Sequence, residues 1–257
     1  MGGAIDRFGL EGRVALVTGG ARGLGRVIAD ALASAGAAVA ISARDAHAAQ
    51  GAAEAIAIAH GVRTLAVSAD VTRAADVEAM VGKVVETFGA IHILVNNAGI
   101  NIRGPIETLE EADWDAVIDT NLKGPWLCCR AVAATMKRQK WGRVINVSSM
   151  LGEISLPERT PYCSSKGGLT LMTRTLALEW ARDGICVNAL CPGPFATEIN
   201  TPLLNDPEKR AAMESRIPMG RWGVPEELGP AAIFLASDAA SFMTGATLFL
   251  DGGYTAQ

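Results

Sequence analysis

The run RVALVT at 13–18 passes straight into a glycine-rich turn, TGGARGLG at 18–25, and then into GRVIADALASAG at 25–36, whose apolar residues recur every three or four positions. A strand that ends in glycines and feeds a helix has few alternatives. Glycines let a backbone approach a pyrophosphate closely, and a helix start offers free N–H groups with partial positive charge. The spacing is T-G-x-x-x-G-x-G, carried by Thr18, Gly19, Gly23 and Gly25, with Ala21, Arg22 and Leu24 between them. Strand, turn and helix in this order form the context that dinucleotide binding requires. A merely tight turn is the other reading.

Six more short apolar runs follow: AAVAIS at 37–42, VRTLAVS at 62–68, IHILVN at 91–96, GRVINVS at 142–148, ICVNALC at 185–191 and ATLFLD at 246–251. Longer helical patterns lie between them, such as 74–89 and 167–184. The strands are nearly continuous in hydrophobics, as expected when helices cover both faces of a sheet. The alternation predicts an α/β fold, a Rossmann-like doubly wound sheet of seven mostly parallel strands with right-handed crossovers. No linker or repeat divides 1–257, so one dinucleotide-binding and catalytic domain is expected. One tract breaks the rhythm. PFATEINTPLLNDPEKRAAMESR, 194–216, is polar, carries three prolines and separates the sixth strand from the last helix. Both a substrate lid and an ordinary surface excursion fit it.

Composition removes several function classes. Net charge is −4 and no run of Lys and Arg offers a nucleic-acid footprint. No apolar stretch reaches the ~18 residues of a membrane span. The opening MGGAIDRFGLEGR lacks the apolar centre of a secretory leader, and Asp6 stands where myristoylation wants Ser or Thr. Five cysteines form no CxxC, and His47, His60 and His92 are scattered, so reduced thiols, no metal and a cytoplasmic location are expected. Cys163 either packs as a small apolar group or has a redox role beside Tyr162.

TPYCSSKGGL at 160–169 sets Tyr162 and Lys166 four residues apart at a helix start, where they share a face. TGGARGLG, NNAG at 96–99, TNLKG at 120–124, SSM at 148–150, YCSSK at 162–166, PGPFAT at 192–197 and LFLDGG at 248–253 resemble, in order and spacing, the short-chain dehydrogenase/reductase superfamily along essentially the whole chain. The resemblance implies an oxidoreductase that interconverts a carbonyl and a secondary alcohol by hydride transfer. It implies Tyr162 as proton donor or acceptor, with Lys166 tuning it and holding the nicotinamide ribose. A free tyrosine titrates near about 10, so work near pH 7 needs about 4 kcal/mol favouring phenolate. A nearby ammonium and the nicotinamide's own charge have the right sign. Ser149, thirteen residues before Tyr162, is implied to orient the substrate oxygen, and Asn121 to organise a relay water. Ser148 should face the other way by strand alternation. Asp70 is implied to bond the adenine amino group, with the Val71 backbone along the ring. Asn96, Ala98 and Gly99 are implied to border the ribose, and Pro192, Gly193, Phe195 and Thr197 to contact the carboxamide.

A 2′-hydroxyl asks for a carboxylate at the end of the second strand, whereas a 2′-phosphate asks for Arg. AISARD puts Ala43 where NAD-preferring members usually carry Asp, then Arg44, with Arg22 as a second cation and Asp45 capping the next helix. NADP(H) is therefore expected, with NAD(H) possible; two solvated arginines are the other reading. NNAGINIRGPIETLEEADWDAVIDTNL, with TPY and RWGVPEEL, is similar to gluconate 5-dehydrogenase-like members and related polyol or sugar-acid reductases. A 3-oxoacyl-thioester (acyl carrier protein) reductase is the alternative, and a non-catalytic cofactor-binding scaffold a third. For the small-molecule substrate, Arg103 suits a carboxylate or is a solvated loop residue. Glu153 and Asn200 or Thr201 are further candidates. By analogy the helices at 124–140 and 162–182 would build a homotetramer, with a dimer next.

Overall fold

Every residue of β1 (Val14–Thr18) is buried. Ala15 and Val17 face one helical layer and Val14 and Leu16 the other, as strand alternation requires. The structure, a computed structural model, describes residues 3–257 apart from the side chains of Ile199 and Pro202, so residues 1 and 2 of the opening segment lie outside the described residues. The chain continues through α1 (Gly23–Ser34), β2 (Ala38–Ala43), α2 (Ala46–His60), β3 (Thr64–Ser68), α3 (Ala74–Phe88) and β4 (Ile93–Asn96). Then come α4 (Glu111–Ile118), α5 (Gly124–Gln139), β5 (Gly142–Val147), α6 (Thr160–Trp180) and β6 (Ile185–Pro192). It ends with α7 (Thr201–Leu204), α8 (Pro207–Glu214), α9 (Gly229–Ala236) and β7 (Thr247–Leu250). Each strand limit falls within two residues of its apolar run.

The seven strands pair in the order β3-β2-β1-β4-β5-β6-β7, and every pairing is parallel. Ile28 and Leu32 of α1, Ile56 of α2 and Leu235 of α9 cover one face. Val77, Met80 and Val84 of α3, Leu127, Val132 and Met136 of α5 and Trp180 of α6 cover the other. Each fully buried side chain of this size contributes about 1.5–3 kcal/mol. Strand order reverses between β1 and β4, so the loops leaving their carboxyl ends diverge and open a crevice.

Local chemistry sets the element ends. Asp45 accepts hydrogen bonds from the N–H groups of His47 and Ala48 at 2.9 and 3.0 Å, capping α2 as expected. The apolar period alone marks a helix at 167–184, and α6 begins at Thr160, where TPYCSSKGGL is read as a helix start. Its early turns bury Ser165 and Lys166, polar residues that a hydropathy pattern does not count. The 194–216 tract holds more helix than its composition suggests, with α7 and α8 inside it. Pro207 starts α8 instead of breaking it, and the Asp206 carboxylate accepts from Lys209 N at 3.2 Å. Among the described residues no helix is long and apolar enough to cross a membrane.

Candidate active site

The carboxyl ends of the strands surround a cavity of about 800 Å³. At one end lies the glycine turn. The N-cap of α1, Arg22, makes no side-chain hydrogen bond to the first turn, so those N–H groups have no side-chain acceptor. A Cβ on Gly25 would collide with Asn97 Nδ2 and the Gly19 carbonyl, so the turn is pressed against the end of β4. Gly23, at φ +56°, would put a Cβ where nothing lies within 4 Å. The turn is thus braced on one side and open on the other, the shape of a phosphate cradle.

Thr18 braces it from behind and does not line the cavity. Its Oγ1 donates to Val95 O at 3.3 Å and accepts from Asn97 N and Ala98 N at 3.1 and 3.2 Å. Arg22, Ala43 and Arg44 line the adjoining end, followed by Asp70 and Val71. Asp70 Oδ1 accepts from Thr72 N and Oγ1 at 2.9 and 2.8 Å. The Thr72 N–H, and Arg44 more weakly, hold that carboxyl below its usual range.

Ser149, after β5, and Tyr162 and Lys166, on α6, line the other end. Lys166 is 4% exposed, its Nζ donates to Val147 O at 2.7 Å, and it lies 5.6 Å from the centre of the Tyr162 ring. Burial draws the ammonium down to about 8. Burial also raises the Tyr162 phenol, opposed by the Ser149 hydroxyl and the Arg103 charge. In the chain alone desolvation wins, and the acidity anticipated for this phenol requires a further positive charge in the cavity.

Ala21, Leu24, Ala98, Gly99, Pro192, Gly193, Phe195, Thr197 and Arg103 also border the cavity, with Gly19, Gly23 and Gly25. Besides Thr18, four of the anticipated residues do not border it: Asn96, Asn121, Glu153 and Thr201. Asn96 is 2% exposed and donates to Asn146 Oδ1 on β5 at 2.8 Å. Its neighbour Asn97 takes the cavity side by strand alternation, donating to Thr18 O and Gly19 O at 3.0 and 3.1 Å. Asn121, fully buried on a π-helical turn at Asp119–Lys123, exchanges 2.8 Å bonds with Ile100 N and O and donates to Ser165 Oγ at 3.1 Å. It clamps the Arg103 loop to α6. Glu153 is carried to the surface by the 3₁₀ turn Met150–Gly152. Ser148 bonds Lys166 O on α6 at 3.0 Å, yet it also borders the cavity beside Ser149, which strand alternation alone does not predict. Cys163 packs beside Met150, Leu151, Ile217 and Tyr254. No metal-binding cluster occurs among the described residues.

The lining residues that escaped the sequence reading include Ser42, Asn101, Arg159 and Trp222. Ser42 Oγ, Asn101 Oδ1 and Trp222 Nε1 are buried with no hydrogen-bond partner. An unpaired buried polar atom costs about 1–3 kcal/mol, so the cavity is shaped for a polar ligand. With the open cradle at Gly23, these atoms fit a dinucleotide. Arg22, Arg44, Arg103 and Arg159 make no ion pair among the described residues. From the 194–216 tract, Phe195, Thr197, Glu198, Asn200, Leu203 and Met213 line one wall.

Comparison with known proteins agrees with this geometry. The family described as enoyl-(acyl carrier protein) reductase matches residues 19–255. The chain is 42% identical to 3β-hydroxysteroid dehydrogenase 1 of Eggerthella lenta over 248 residues, 96% of this chain and 95% of that one. It is 39% identical to gluconate 5-dehydrogenase of Gluconobacter oxydans over 250 residues, 97% of each. A gluconate 5-dehydrogenase from Burkholderia cenocepacia, solved in complex with NADP and tartrate, superposes with a TM-score of 0.95 at 42% identity, covering 99% of this chain and all of that one.

Proposed function

Since the chain belongs to the short-chain dehydrogenase/reductase family, whose members oxidise CH–OH groups and reduce carbonyls, we propose that it interconverts the ketone and secondary alcohol of a sugar acid, polyol or other small polar substrate with NADP(H). The observation that carries this reading is the cavity itself. Its one end is a glycine cradle flanked by Arg22 and Arg44; its other end holds Ser149, Tyr162 and Lys166. Arg22 and Arg44 receive the 2′-phosphate, the first turn of α1 the pyrophosphate, and Asp70 the adenine amino group. When bound, the reduced coenzyme supplies hydride to the carbonyl carbon. Tyr162 Oη gives a proton to the carbonyl oxygen while the Ser149 hydroxyl holds that oxygen in place; alcohol oxidation reverses both roles. Lys166 holds the ribose hydroxyls and stabilises the phenolate. Asn121 acts from behind the wall, fixing the 100–103 loop against α6. Arg103 faces a carboxylate of the substrate.

The gluconate 5-dehydrogenase relative and the neighbour solved with NADP support a sugar-acid substrate and the coenzyme. Tract 194–216 supplies a wall of the cavity and serves as its lid. Trp126 is 46%, Leu171 63% and Leu178 84% exposed, which supports homotetramer assembly through α5 and α6, with a dimer next. A cytoplasmic location agrees with five unpaired cysteines.

NADPH oxidation against a keto sugar acid, a neutral ketose and an acetoacetyl thioester tests the reading. Turnover of the first two is expected to exceed that of the thioester; the reverse order would favour the acyl-thioester alternative, and no turnover the scaffold. Arg44→Asp should weaken NADPH binding about tenfold or more and improve NADH. Tighter binding of NADH than NADPH by the unmodified chain would contradict the assignment.

A further inference from the structure

Arg159 had no role in the sequence pattern, yet it stands at the mouth of the reacting end. It immediately precedes α6, three residues before Tyr162, and lines the same cavity as Arg103. The two arginines come from segments far apart in the chain, and one backbone bond joins those segments. Gly104 N donates to Glu158 O at 3.3 Å, so the residue after Arg103 is tied to the residue before Arg159. Glu158 adopts φ +62°, a left-handed conformation uncommon for a side chain other than glycine, and this turns the chain just before Arg159. Arg159 Nη1 donates to Glu158 O at 3.0 Å, which holds the guanidinium beside that junction. Arg159 is half-buried and Arg103 exposed, and neither has a carboxylate partner within ion-pair distance among the described residues. Burial does most to disfavour the charged form of Arg159, the nearby Arg103 charge adds to it, and the Glu158 charge opposes both. Two like charges at one cavity mouth, one of them half-buried, repel each other, and an anion held by both relieves that cost.

We propose that Arg103 and Arg159 form a two-guanidinium mouth that receives a doubly charged anionic substrate, and that Arg159 is the residue that sets this preference over singly charged and neutral substrates. Two planar forks, one N–H of Arg159 already being given to Glu158 O, match a pair of carboxylates or a phosphate better than they match one carboxylate. The proposal rests on the cavity being the substrate site, and it goes beyond the sugar-acid or polyol reading by naming the charge that the site selects.

Binding measurements test it without turnover. Tartrate, threonate and threitol share a four-carbon diol core and carry two, one and no carboxylates. Calorimetric titration of each into the chain saturated with NADP⁺ should give affinities rising by about tenfold per carboxylate. Arg159→Gln should bring tartrate close to threonate while leaving threitol and NADP⁺ binding unchanged, and Arg159→Lys should recover part of the loss. A phosphorylated polyol in place of tartrate separates the two sources of double charge. Equal affinities across the series, or an Arg159→Gln chain that keeps the full preference for tartrate, would overturn the proposal. Failure of the broader reading would look different: no NADP⁺ binding, or no NADPH oxidation with any ketone.

Discussion

Tyr162→Phe is expected to remove nearly all turnover, by about 10²–10⁴-fold in kcat, while NADPH affinity changes little. The substitution deletes one oxygen. The ring stays packed where it is, beside the Met150, Leu151, Ile217 and Tyr254 cluster. Lys166 keeps its 2.7 Å bond to Val147 O, and the cradle at Gly19–Gly25 is untouched. A hydride can still approach the carbonyl, but the oxygen has no proton donor of suitable strength. Steady-state kinetics and coenzyme titration on the same preparation separate the two effects. A variant that kept more than a few per cent of turnover would remove Tyr162 from its assigned role.

Lys166→Met is expected to lose most activity and also to gain stability when no coenzyme is bound. Lys166 is 4% exposed, and burial draws it from 10.5 to about 8. A base depressed on folding binds its proton more weakly in the native chain than in the unfolded one. The cost is complete below pH 8 and is relieved as pH rises from 8 through 10.5. That difference corresponds to about 3 kcal/mol, and losing the bond to Val147 O returns about 1 kcal/mol of it, so the net gain is about 2 kcal/mol. Thermal denaturation at pH 7 should place Lys166→Met several degrees above the unmodified chain. The gap should narrow toward pH 10.5. A Met variant that melts lower at pH 7 would show that the buried ammonium is stabilised by contacts outside this account. The expected pattern is a group kept for chemistry at a cost to the fold.

Strands and the glycine turn were legible because their physics is local. A short apolar run such as IHILVN buries itself wherever it falls, and a T-G-x-x-x-G-x-G turn between a strand and a helix is the setting that dinucleotide binding requires. Tyr162, Lys166 and Ser149 were legible through motif order and lie together in the cavity. Asn96 was misplaced because adjacent residues at a strand end face opposite ways, and only the β4–β5 register decides which of two asparagines meets the core. Glu153 was misplaced because a 3₁₀ turn, invisible to periodicity, carries it outward. Arg159 was missed because its partner Arg103 lies in a segment remote in sequence, joined to it by the Gly104–Glu158 bond. The acidity expected of Tyr162 counts on the coenzyme's charge beside Lys166, and in the chain alone desolvation outweighs the charges its own residues supply.

The most direct test follows from that last point. The chain has only two tyrosines, Tyr162 and Tyr254, so a Tyr254→Phe variant leaves one phenol to titrate. Its tyrosinate absorbance should be followed against pH with and without saturating NADP⁺. Without coenzyme, ionisation should fall above the ordinary value of about 10; with NADP⁺ it should move well below 10, toward neutrality. A Tyr162 titration that NADP⁺ leaves in place would contradict proton transfer by a phenol whose acidity the coenzyme and Lys166 supply together.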